Sequence, residues 1–156
     1  MQTDFARPAP SRLRRVETGF SLLEVLIAVL VLAVGLLGMA ALQINALKNN
    51  QSSFQRTQAV MLSYYMLDAM RANRDDVASG NYDLDKTCEV PASAGTLVSN
   101  DHHFWLQAIK DNLGDAQTSC GEIACQGMTC TVTIFWSDDR GTGGAAEQSF
   151  STSTQL

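Results

Sequence analysis

Basic residues are scarce once the first 15 positions have passed, and no Lys/Arg cluster survives beyond them. With 11 Lys and Arg against 16 Asp and Glu, the formal charge is -5, so a surface for binding nucleic-acid phosphates has no source. A phosphate-binding glycine loop and a G-x-S-x-G turn are also missing, as is any nucleophile with a recognisable base and orienting acid. Asp75-Asp76 and Asp138-Asp139 fit solvated helix ends and turns better than catalytic carboxylate pairs. No enzymatic activity and no cofactor are therefore expected. His102 and His103 are adjacent, about 100° apart on a helix, and no carboxylate-histidine pattern at i, i+4 accompanies them. They are not read as a metal site. Internal repeats and low-complexity tracts are absent, and 156 residues suit one compact domain with an accessory segment.

What the chain does have is unevenly distributed. Charge and proline are absent from Val25 to Leu42, a run whose helix would be about 27 Å long, close to the thickness of a bilayer's hydrocarbon core. Arg7, Arg12, Arg14 and Arg15 precede it, and positive residues on that flank stay cytoplasmic. Three readings fit these facts. A secretory signal would use the same arginines, with "GMA" (Gly38 to Ala40) as a small-residue cleavage site, but the run exceeds the usual apolar core of a signal peptide. A plain anchor accounts for the length and leaves Glu24 without a role. A carboxylate at mid-membrane costs on the order of 2.5 to 3.5 kcal/mol, less near an end, and is usually functional.

The junction "TGFSLLEVLIAVLVLAVG" resembles the processing and assembly signal of type IV pilins and type II secretion pseudopilins. That resemblance implies a leader over residues 1–19, cut by a prepilin peptidase after Gly19. Phe20 would be the N-methylated amino terminus of the mature chain, and Glu24, its fifth residue, the assembly glutamate. Loss of the leader removes four arginines and two acids and takes the formal charge from -5 to about -7. "MRANR" (Met70 to Arg74) followed by "GNY" is similar to the minor pilin family PilV, type IV pilus modification protein. The family implies a subunit that helps start pilus assembly and supports twitching motility and surface attachment. Its partners would be other minor pilins, the major pilin, the inner-membrane assembly machinery and membrane lipid. It would lie in the inner membrane before assembly, head periplasmic, and in the pilus afterwards. A type II secretion pseudopilin, serving protein export, is the alternative.

The expected fold class is α+β and pilin-like, with one long helix from about Phe20 to Asn73. Residues 20–42 would be its membrane half, and residues 43–156 a head that includes its amphipathic half. Ile44, Leu47, Phe54, Met61, Tyr65, Ala69 and Ala72 recur at helical spacing and predict the covered face. Two helices with a bend near Asn49-Asn50 are the alternative. Gly35 and Gly38 mark the easiest place to bend, or a close helix-packing site. A short helix is expected over "NDHHFWLQAIKDNLGD", with Asp101 as its N-cap, Gly114 as its stop and Phe104, Ile109 and Leu113 on its apolar face. "TCTVTIFWSDD" reads as a strand with Val132, Ile134 and Trp136 on one side. "EQSFSTST" reads as its antiparallel partner and "EIAC" as a third, short strand.

Cys88, Cys120, Cys125 and Cys130 all follow the membrane segment, as expected in an oxidising compartment. Three complete pairings are open to them. Cys88 with Cys120 and Cys125 with Cys130 is the favoured set. Zinc is the rival, although the spacing lacks the usual paired C-x2-C arrangement.

Overall fold

The computed structural model describes residues 19–114, 117–139, 141 and 144–156. The four leader arginines lie outside them, as do Thr18, Arg140, Thr142 and Gly143. In chain order the elements are α1 (Leu22–Ala72), α2 (Arg74–Ala78), β1 (Leu84–Thr87), α3 (Leu97–Leu113), β2 (Cys120–Gln126), β3 (Thr129–Trp136) and β4 (Gln148–Gln155). The strands form one antiparallel sheet in the order β1-β2-β3-β4. The fold is α+β, a long amino-terminal helix and a small antiparallel sheet.

α1 starts where Ser21 supplies a cap: its Oγ accepts from the Leu23 N–H at 3.3 Å, and its carbonyl accepts from Glu24 at 3.0 Å. No proline interrupts α1, and it runs unbroken through Gly35, Gly38 and Asn49-Asn50. It ends at Asn73, which begins the short α2.

The chain divides into two compact units, one reaching to Ala40 and the other Ala41–Leu156. In the first, the large apolar side chains from Phe20 to Met39 are all exposed. α1 contains a segment long and apolar enough to cross a membrane.

In the second unit, α1 buries Ala59, Leu62, Ser63, Met66, Leu67 and Met70, a continuous stripe at helical spacing. This corrects the expected face. Leu47, Phe54, Met61 and Tyr65 are 49–68% exposed, Ile44 and Ala72 are also exposed, and Ala69 is half-buried. At 100° per residue, the Leu47-Phe54-Met61-Tyr65 line lies roughly opposite the buried one. The helix carries two apolar stripes, and the head takes the one with small residues. Trp105 of α3 is fully buried and donates its indole N–H to the Leu62 carbonyl, within that stripe, at 3.0 Å.

α3 also differs from its expectation. Thr96 is the N-cap, its Oγ1 accepting from the Ser99 N–H at 3.2 Å, and the helix begins before Asp101. Asp101 instead accepts a hydrogen bond from the Tyr82 hydroxyl at 2.6 Å. Phe104 is exposed, and the buried face is His102, Trp105, Leu106, Ile109 and Leu113. Gly114, at φ 106°, does end the helix.

β3 alternates as expected, with Cys130, Val132, Ile134 and Trp136 buried against the helices. β2 is longer than "EIAC". It joins β3 through Gly127-Met128, where Gly127 has φ 61° and Met128 does not have positive φ, the geometry of a type II′ hairpin turn. Sequence reading missed β1, because "LDKT" has no apolar alternation.

Candidate functional site

Gly19, Phe20 and Glu24 fall at the start of α1. Phe20 is 82% exposed, and Glu24 sits in the first helical turn. Together with Val25, Ala28, Val29 and Leu32, they line a shallow apolar concavity along the helix. A carboxylate in a first turn is favoured by the helix dipole, on the order of 0.3 to 1 kcal/mol at an exposed site. That is less than the cost of placing it in hydrocarbon. Among the described residues no cation forms an ion pair with Glu24. The local fold therefore leaves its charge available to a group elsewhere.

Gly19 points the same way. A Cβ built at Gly19 meets nothing within 4 Å, and its φ is not in the left-handed region. Among the described residues, nothing in packing or backbone conformation calls for glycine there. The same space is open at Gly35 and Gly38, although each lowers helix stability by about 0.8 to 1 kcal/mol relative to alanine.

Residues 14–40 match the prokaryotic N-terminal methylation motif. The match takes in the Gly19-Phe20 junction, Glu24 and most of the apolar run, and stops before the second unit. It supports a type IV pilin or pseudopilin, and with the apolar helix it supports membrane anchoring. No curated protein and no solved structure matches the chain.

The structure brings the cysteines together in two bridges, Cys88 with Cys120 and Cys125 with Cys130. The first fastens the segment after β1 to the start of β2. The second crosses directly between β2 and β3, next to their turn. The two histidines do not converge. His102 hydrogen-bonds the Tyr82 carbonyl through Nε2 at 3.2 Å, and His103 meets the Pro91 carbonyl through Nδ1 at 2.7 Å. Among the described residues no group of three potential ligands could hold a metal ion.

A polar network joins the end of α1 to α3. Asn73 and Asn81 each donate to Asp76 at 2.7 Å. These bonds, that from Asn81 first, hold the Asp76 carboxyl below its usual range. Burial, followed by the hydrogen bond to Asp101, pushes the Tyr82 phenol up to about 12. Burial also lowers the basicity of His102. All of these groups keep their uncharged or hydrogen-bonded forms near neutrality, as a stable head requires.

Proposed function

We propose that this chain is a minor pilin of PilV type, made as a prepilin and cut by a prepilin peptidase between Gly19 and Phe20. Phe20 is then N-methylated, and the subunit is drawn from the inner membrane into a pilus with other minor pilins and the major pilin. There it helps initiate assembly and supports twitching motility and attachment. The observation that carries the reading is the match over residues 14–40, with its glycine, phenylalanine and glutamate in register at the mouth of an exposed apolar helix.

Glu24 has a physical role in this scheme. Cleavage creates an ammonium at Phe20, and Glu24 of a neighbouring subunit neutralises it in an apolar setting. At about 4 Å and an effective dielectric near 20, the attraction is roughly 4 kcal/mol, comparable to the cost of immersing the carboxylate. Such a pair sets register: a misplaced subunit leaves a charge alone, which is strongly unfavourable. The uncovered Leu47-Phe54-Met61-Tyr65 stripe supports the same reading, since neighbouring helices in a filament would cover it.

Sequencing the amino terminus of the mature chain tests the proposal. Phe20 supports it; Met1 points to an uncleaved anchor and Ala41 to a secreted protein. Glu24→Ala should insert into the membrane normally and enter filaments poorly, and normal incorporation would count against the register role. The methylation motif fits a type II secretion pseudopilin equally well. Deletion separates the two, through loss of pili and twitching in one case and loss of protein export in the other.

A further inference from the structure

The face of α1 that the head leaves uncovered has a seven-residue rhythm. Ile44, Leu47, Phe54, Met61 and Tyr65 are all exposed. With Gln51 and Gln58 between them, the spacing runs three, four, three, four without a break. Counted from Ile44 as position a, these residues fill every a and d of a heptad repeat, the period at which two helices wind around each other. The head covers the other side. Ala59 and Met66 fall at b, Leu67 at c, and Ser63 and Met70 at f; Leu62, at e, is the one buried residue that borders the seam. A row of large apolar side chains left in water in this way marks an interface.

Two polar layers select the occupant. Gln51 and Gln58 both fall at a, where an apolar partner would leave a carboxamide unpaired. A second copy in the same register sets each glutamine against its own equivalent, and a carboxamide, with both donor and acceptor, pairs with its like. Direction is fixed as well. With α1 crossing the membrane at its start, two chains inserted the same way present this seam parallel. In a parallel pair each g residue faces e of the next heptad on the other helix. The flanks of the seam hold one charge, Lys48, which then faces Gln43, and the bulky Tyr64 faces the small Ala69. No like charges meet. Asp68, the next d residue, ends the seam, and Arg71 of its own helix pairs with it at 2.6 Å.

We infer that Ile44 to Tyr65 is the seam of a parallel two-stranded coiled coil with a second copy of this chain, in register about a two-fold axis that runs along the helices. Both heads then lie on the outside of the pair, and both membrane segments keep one direction. A seam of about three heptads gains most where chains are concentrated, as they are in a membrane. The pair covers the stripe before any filament exists. It is distinct from the filament contact proposed above, in which Glu24 of one subunit meets Phe20 of the next. That contact displaces the helices by four residues and sets a against e, out of register for this seam. The inference rests on anchoring by α1 and not on processing at Gly19.

The test is oxidative crosslinking of the full-length chain in membranes of a host that makes no pili. Leu47→Cys and Met61→Cys, both at d, should each give a disulfide-linked homodimer, and Ser53→Cys, exposed at c, should not. Size-tagged chains with Leu47→Cys and Phe54→Cys, expressed together, should link less to each other than each does to its own kind. Phe54→Lys added to the Leu47→Cys chain sets two ammonium groups on the seam and should abolish the homodimer. Phe54 is exposed, so near-ultraviolet dichroism of the head should stay native in that variant. Absence of a homodimer at both d positions, one as strong at Ser53→Cys, linkage that survives Phe54→Lys, stronger linkage between unlike sites, or a crosslink to a different protein instead would overturn the inference. Crosslinking reads the seam and amino-terminal sequencing reads the junction, so this inference and the pilin reading fail separately.

Discussion

Gly121 in β2 leaves no room for a side chain. A Cβ there would lie 2.5 Å from Cζ3 and 2.6 Å from Cη2 of Trp105, and 3.1 Å from a Leu106 methyl. Carbon atoms pack best at about 3.5 to 4.0 Å, so Gly121→Ala forces a retreat of roughly 1 Å. Trp105 cannot make that move cheaply. It is fully buried, and its indole is tied to Leu62 on α1 at 3.0 Å, a bond the retreat would stretch. Overpacking of this kind costs about 1 to 3 kcal/mol, and a weakened buried hydrogen bond adds about 1 more. Thermal unfolding followed by near-ultraviolet dichroism and tryptophan fluorescence should show a lower midpoint and an altered signal for the indole. Trp105→Phe removes the colliding atoms, so the double variant should lose less than the sum of its single changes. Full stability of Gly121→Ala with an unchanged tryptophan spectrum would refute this account of how α3 seats on the sheet.

The disulfides should differ in weight. Loop-closure entropy for a separation of 32 gives about 3.7 kcal/mol for Cys88–Cys120, against about 2.1 kcal/mol for Cys125–Cys130 with a separation of 5. Paired Cys→Ala variants measured in urea should show that order, and a reversed order would mean that denatured-state structure governs. Stability should also fall on both sides of neutrality. His102 has a folded pKa below the usual 6.5, so the unfolded chain takes up more protons and stability declines as pH drops below 6.5. Asp76 adds to the acid loss below 3.8, as pH falls through its lowered folded value. Tyr82 ionises near 10.0 when unfolded and about 12 when folded, so its contribution is present below 10.0 and lost between the two. Unfolding midpoints against pH should show both limbs. Tyr82→Phe should flatten the alkaline one and His102→Gln the one that sets in as pH drops below 6.5.

The elements that could be read from sequence are those whose signal is local. α1 follows from an uninterrupted run of helix-compatible residues, and β3 from the alternation of Val132, Ile134 and Trp136 with Thr131, Thr133 and Phe135. The Gly19-Phe20-Glu24 spacing is local too, so it is legible without any knowledge of the head. β1 was hidden because a charged edge strand needs no apolar face, and its place is set by pairing with β2. Asp101 is a sound cap on sequence grounds, but hydrogen bonding with Tyr82, distant in the chain, gives the aspartate other work, and Thr96 caps α3 instead. The reversed face of α1 is the most instructive failure. Periodicity reports that a helix has apolar faces and is blind to which of them a given neighbour covers. Large residues on the Phe54-Met61-Tyr65 line have the spacing of a core, but the buried tryptophan of α3 meets the helix at Leu62, on the stripe that includes Ala59 and Ser63. Bulk left over on the opposite side then becomes surface that the folded head does not use, which is why the same misreading that obscured the core exposes a candidate assembly face.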